Sequence, residues 1–205
     1  MLPAKAKRVT DDAYLERERA SLDKHELIHG EIVAMAFGSP KHNAIALNVG
    51  TAFKNRLRGR KCVVFSSDQR INVEATGMYT YADASTTGDR PRFHAKYQDN
   101  LLNPKVIVEV LSDATEAYDR GAKFAHYQRI VSLAEYVLVS QDERRVDHFR
   151  RIENGQWILT VYEGDDAIIT FPALGCEVPL SELYEDTELL DAPDETEEPE
   201  APGLP

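Results

Sequence analysis

The spacing of apolar residues changes several times along the chain, and each change marks an element. Asp11 to Leu22 reads as a helix, with Asp11 or Asp12 near its N-terminus. Glu26-Leu27-Ile28 and Glu31-Ile32-Val33-Ala34-Met35 flank His29-Gly30, the pattern of a hairpin around a two-residue turn. Ser39-Pro40 predicts a helix start, with Ser as N-cap and Pro at the first helical position. Ile45, Val49, Ala52, Phe53 and Leu57 follow at helical spacing, and Gly59 closes the run. Strand-like segments cover Cys62 to Ser66, Gln69 to Glu74 and Met78 to Asp83, and a polar, irregular stretch fills Ala84 to Pro104. The β-branched run Val106 to Leu111 has the composition of a buried central strand. Ala114 to Ile130 reads as one helix and Glu135 to Val139 as a second buried strand. Weaker strands cover Arg145 to Ile152, Trp157 to Tyr162 and Ala167 to Phe171. This order predicts an α/β domain around a mixed sheet.

Charge alters the picture at one end. The formal net charge is −11, which by itself argues against a nucleic-acid partner. Ten acidic residues and no basic ones lie between Glu182 and Pro205; without them 25 acidic residues face 24 basic ones. The globular part is therefore near neutral. Pro193, Pro199, Pro202 and Pro205 and the scarcity of apolar residues predict a disordered acidic tail over residues 192–205, after a domain over 1–191. No apolar run approaches a membrane span, and no apolar stretch follows the basic first residues, so the expected compartment is the cytoplasm. Cys62 and Cys176 are far apart in sequence and read as small buried apolar residues.

The candidate chemistry centres on carboxylates. Glu109 interrupts an apolar strand and shares a face with Ile107 and Leu111. An ionised carboxylate there costs several kcal/mol unless paired or bound to metal. Asp83 repeats the pattern after Met78-Tyr79-Thr80-Tyr81-Ala82. Two such acids could converge on a hard cation such as Mg²⁺; for each taken singly, the spacing favours a satisfied buried acid or an edge residue. Lys123 shares a helix face with Asp119 and Tyr127. It is either half of an ordinary surface pair or a charge aimed back at the sheet. Glu31 in the hairpin and His42 in the first turn of the Ser39-Pro40 helix are further candidates. The basic cluster Lys54 to Lys61 suits phosphate contact and, equally, a solvated helix end. Glycine-rich phosphate loops and GxSxG are absent, and the one HExxH string, His25 to His29, falls in the predicted hairpin rather than on the helix that motif needs.

These residues resemble a known family. His25-Glu26-Leu27-Ile28-His29-Gly30-Glu31, Ser39-Pro40-Lys41-His42 and Val108-Glu109-Val110-Leu111-Ser112 look like hallmarks of the Uma2 family, as do Asp119 with Lys123 and Tyr127, then Ala134 to Val139. The resemblance runs from about Leu22 to Arg151. It implies a restriction-endonuclease-like fold of the PD-(D/E)XK type, a mixed sheet core flanked by helices, and metal-dependent phosphodiester hydrolysis. Asp83 matches the Asp of the "PD" element, with Ala82 in place of Pro. Glu109 matches the acid of "(D/E)xK", and Glu31 an additional family acid. Leu111 stands where the superfamily has its Lys, and Lys123 offers the replacement.

The implied arrangement has Asp83, Glu109, the Val110 carbonyl and Glu31 holding Mg²⁺ or Mn²⁺, with Lys123 stabilising developing charge. The implied partners are nucleic acid, DNA before RNA, and a second copy of the chain, as in nucleases that pair to cut two strands. Two rival readings stay open. One is a catalytically inactive relic serving as a nucleic-acid or protein interaction module. The other is a regulatory protein whose acidic tail docks a basic surface.

Overall fold

The computed structural model describes residues 8–191; the expected acidic tail lies outside the described residues. The chain begins with α1 (Asp11–Ala20), capped by Thr10, and the hairpin β1 (His25–Ile28) and β2 (Glu31–Ala34). His29 and Gly30 both have positive φ, 52° and 83°, as a tight two-residue hairpin turn requires. Next comes α2 (Pro40–Arg56), whose N-cap Ser39 accepts the His42 N–H at 3.0 Å.

The following strands are β3 (Val64–Ser66), β4 (Arg70–Val73), β5 (Met78–Tyr81), β6 (Ala84–Thr86), β7 (Asn100–Leu101) and β8 (Val106–Leu111). A helical segment consists of α3 (Glu116–Tyr118), a π-helical turn (Asp119–Lys123) and α4 (Phe124–Tyr127). Then come β9 (Glu135–Ser140), β10 (Arg145–Arg151), β11 (Trp157–Glu163), the hairpin β12 (Ile168–Phe171) and β13 (Cys176–Pro179), and α5 (Leu180–Leu183).

Three expectations change. The strand expected over Met78 to Asp83 stops at Tyr81. The stretch from Ala84 to Pro104 is not all irregular: it holds β6, which pairs with β8, and β7. The helix expected over Ala114 to Ile130 is shorter and carries the π turn. There the Tyr136 hydroxyl donates to the Asp119 carbonyl at 3.0 Å, and Gly121 contributes no side chain to hold a regular helix.

Two larger sheets result, with strand orders β2-β1-β5-β4-β7 and β11-β10-β9-β8-β6-β3, beside the two-stranded β12–β13 sheet. In the second, β8 and β9 run parallel while β6 and β10 are antiparallel to them, giving the expected mixed sheet. Alternation along β8 and β9 sorts the core. Val106, Val108, Val110, Val137 and Val139 pack against α2, α5 and the β12–β13 hairpin. Ile107, Leu111, Tyr136 and Leu138 face the other way, onto α4 and residues of the first sheet such as Ile71, Val73 and Met78. Helix α1 covers the far side of the first sheet through Tyr14 and Leu15 against Leu27 and Tyr79. Glu109 therefore points into the layer between the two sheets.

The Phe124 ring seats the helix after the π turn. It stacks on Tyr136 at 4.7 Å between centroids and meets Phe149 and Trp157 at 4.8 and 5.1 Å. Phe124→Ala is expected to cost about 3–5 kcal/mol of stability, the range for deleting a buried aromatic. Urea unfolding followed by circular dichroism measures this, and a loss under about 1 kcal/mol would show that the ring does not anchor the segment.

Candidate active site

Lys123 is 4% exposed, although an ammonium is costly to bury. Its Nζ lies 3.0 Å from Glu109 Oε1, 3.4 Å from Asp119 Oδ1 and 3.7 Å from Glu26 Oε1. Burial alone would push the Lys123 pKa down, but Glu109, Glu26 and Asp119 outweigh it and hold the pKa well above the usual lysine value. The same site strains the acids. Burial drives Glu109 well above the ordinary carboxylate range; Lys123 opposes this, while Asp119 and Asp83 add to it. Asp119 is raised as well, by burial first.

Each acid is held from a different element. Glu109 sits in β8 and accepts the Tyr127 hydroxyl from α4 at 2.8 Å. Glu26 sits in β1, accepts the Tyr118 hydroxyl at 3.0 Å and is hydrogen-bonded by Thr80 of β5. Asp119 and Lys123 flank the π turn. In a regular α-helix, positions four apart drift by roughly 40° around the axis. The wider turn offsets that drift, so Asp119, Lys123 and Tyr127 all address one site.

Asp83 lies where the chain crosses from β5 in one sheet to β6 in the other. Ladder pairing between β6 and β8 ends at Ala84 opposite Val108. Beyond it, Asp83 Oδ2 takes over the next donor, accepting the Val110 N–H at 2.7 Å. This places Asp83 beside Glu109 at the end of the ladder. His42, from the first turn of α2, sets Nε2 3.2 Å from Asp83 Oδ2. Burial lowers the His42 pKa, but the Asp83 carboxylate and the Val110 carbonyl more than compensate, and the net shift is upward.

The fold thus brings Asp83, Glu109 and Lys123 together. It sets Glu31 apart: that residue is exposed on β2, and no hydrogen bond or ion pair among the described residues joins it to the cluster. The hairpin acid in the cluster is Glu26. Its signal in the sequence was alternation: Glu26 shares a strand face with Ile28, which packs on the inter-sheet core. Lys54 to Lys61 likewise stay outside the cluster; Arg56 pairs with Glu182 at 2.7 Å, and Arg60 donates to the Leu174 carbonyl at 2.5 Å.

Among the described residues, no three His, Cys, Asp or Glu side chains form a closed metal cage. The donors nevertheless fit a magnesium-type ion, which binds through one or two carboxylates and keeps waters and substrate oxygens as its other ligands. Asp83, Glu109 and the Val110 carbonyl are oxygen donors grouped at one strand end. Glu109, Glu26 and Asp119 gather there around one buried ammonium, with Asp83 adjacent. A groove of about 260 Å³ beside Tyr184 is a poorer candidate, because Asp142, Glu143, Glu188 and Asp191 outnumber its cations Lys41 and Arg144.

Removing the ammonium tests the cluster. Lys123→Ala should cost about 3–5 kcal/mol by leaving buried carboxylates face to face. Adding Glu109→Gln should recover part of the loss, with a coupling above about 1 kcal/mol in a double-mutant cycle. Carboxyls whose folded-state pKa values are raised contribute stability at low pH that is lost as pH rises through those values. The Lys123→Ala defect should therefore be smaller at acid than at alkaline pH. Strictly additive losses and a pH-independent defect in urea titrations would contradict this arrangement.

Comparison with known proteins bears on the family and the fold. Residues 11–181 match the model of the Uma2 family, described as "Putative restriction endonuclease". Uncharacterized protein slr1290 of Synechocystis sp. is 37% identical over 177 residues, 86% of this chain and 92% of its own length. Uncharacterized protein sll1609 of the same organism is 34% identical over 171 residues, 83% and 97% of the two chains. A crystal structure from Anabaena variabilis, described as "a putative nuclease belonging to DUF820", superimposes with a TM-score of 0.69 at 19% identity, covering 86% of this chain and 97% of that one. The fold, the match across most of the chain and the two relatives make this protein a member of the Uma2 family.

Proposed function

We propose that the chain is a divalent-cation-dependent endonuclease that hydrolyses phosphodiester bonds in nucleic acid, with DNA as the first substrate to test. The observation that carries this reading is the excess of buried carboxylate. Glu109, Glu26 and Asp119 share one ammonium, with Asp83 adjacent. Asp83, Glu109 and the Val110 carbonyl would hold Mg²⁺ or Mn²⁺. When bound, the ion supplies positive charge to the phosphate and lowers the pKa of water. Family membership supports the same class of reaction.

The chain's own groups divide the remaining work. Tyr127 fixes the Glu109 carboxylate through its hydroxyl. Asp119 holds Lys123 in place one turn earlier, so the ammonium can stabilise charge that develops on the phosphate oxygens. Glu26 takes the part of the hairpin acid, and its hydrogen bonds from Thr80 and Tyr118 keep it aimed at the cluster. The His42 imidazole contacts Asp83 and must give way or share that carboxylate when a cation binds. Pairing of two copies would let both strands of a duplex be cut in one encounter. The rival reading, a folded but inert interaction module, keeps the same ion pairs as purely structural ones.

Plasmid nicking separates the two. Wild-type protein should nick supercoiled DNA with Mg²⁺ or Mn²⁺ and stop on chelation. Asp83→Ala and Glu109→Gln should each lower the rate by about a hundredfold or more while remaining folded. Equal nicking by wild type and Asp83→Ala would sink the assignment. Purified wild-type protein that binds neither ion would favour the inert module.

A further inference from the structure

The five residues 35–39 join the two walls of the site. They leave β2 beside the strand of Glu26 and enter α2, whose first turn carries His42 against Asp83. The middle residue, Phe37, is 90% exposed. Isolated apolar side chains on a surface need no explanation. This one differs because the backbone around it is fixed and because of where it stands.

Gly38 packs so closely on His42 that a Cβ there would lie 2.5 Å from the ring Nδ1. The Gly38 carbonyl accepts from the Asn43 side chain at 3.3 Å, and Ser39 Oγ donates to Gln141 at 2.9 Å. Upstream, the Met35 N–H donates to the Lys24 carbonyl at 2.9 Å. Phe37 is therefore presented on a loop anchored at both ends, one residue from a glycine that touches the Asp83 partner. No hydrogen bond among the described residues involves Phe37.

Resting on the nuclease reading, we infer that Phe37 is a substrate-positioning residue: its ring stacks on a nucleobase flanking the phosphodiester held at Asp83 and Glu109. A phosphodiester in the site brings planar bases within a few ångströms on either side. An anchored, solvent-facing aromatic ring one residue from the glycine packed on His42 is the surface such a base would stack on. Base–aromatic stacking is sequence-tolerant and changes affinity by about tenfold to a hundredfold per base. It therefore supplies hold without charge, which suits a globular part whose acidic and basic residues nearly balance. Gly38 is the positioning partner, since only a residue without Cβ lets the loop lie against His42.

The test uses the full chain and Phe37→Ala, Phe37→Leu and Phe37→Trp, which should all fold because the side chain is exposed. An oligonucleotide with one 2-aminopurine is titrated with Ca²⁺ as the added cation, and nicking kinetics are measured with Mn²⁺. Wild type and Phe37→Trp should quench the fluorescent base. Phe37→Ala and Phe37→Leu should not, and their Kd and KM should rise about tenfold or more, with most of the nicking loss in KM. Equal quenching and equal KM in all variants, with nicking intact, would overturn the inference and leave the nuclease reading standing. Phe37-dependent quenching without any nicking would overturn the nuclease reading and leave the stacking role standing. Loss of a dimer in Phe37→Ala, seen by sedimentation with quenching unchanged, would assign the ring to a protein contact and overturn the inference.

Discussion

One ammonium surrounded by three carboxylates, all withdrawn from water, sets the terms for the rest of the molecule. Lys123 keeps its charge because Glu109, Glu26 and Asp119 outweigh the cost of burial. Those acids come from β8, β1 and the π turn, so the ion cluster ties the sheets and the helix to one point. Burial, the largest cause, holds Glu109 and Asp119 above their ordinary pKa values even with Lys123 in contact. Apolar packing between the sheets excludes water on one side. The sheet crossing at Asp83 brings a further carboxylate to the other. The interior gathers more carboxylates than its one ammonium can pair, and burial is the first cause that raises Glu109 and Asp119.

Much of this could be read from the chain alone. The β-branched run with a single acid gave β8 to the residue, because a doubly buried strand leaves little ambiguity in composition. Ser39-Pro40 placed the start of α2, since cap and first-turn chemistry are local. The choice of Lys123 in place of the lysine missing at Leu111 came from the family resemblance, not from composition or spacing.

What stayed hidden depends on contacts distant in sequence. Glu26 and Glu31 are both hairpin acids, and only the packing of one strand face on the inter-sheet core decides which is buried. The strand β6 is three residues long and has meaning only as a partner of β8. The break between β5 and β6 looks, in sequence, like a strand running on to its last acid. The π turn was illegible because its cause, a hydroxyl from Tyr136 reaching the Asp119 carbonyl, comes from the next strand.

That turn makes the site tolerant of a very small genetic change. A π turn accommodates one residue more than an α-turn, so losing one codon within 120–122 would let the segment close into an ordinary helix with its hydrogen bonds intact. Asp119, Lys123 and Tyr127 would then be spaced three and four residues apart, which still falls on one helical stripe. The Tyr136 hydroxyl would lose the Asp119 carbonyl it now reaches, and a buried donor left unsatisfied costs about 1–3 kcal/mol. The hydrophobic layers against α2 would be untouched. Such a deletion would draw on stability and leave the three residues on one face, so descendants of this architecture should be sought without fixing the length of this helix.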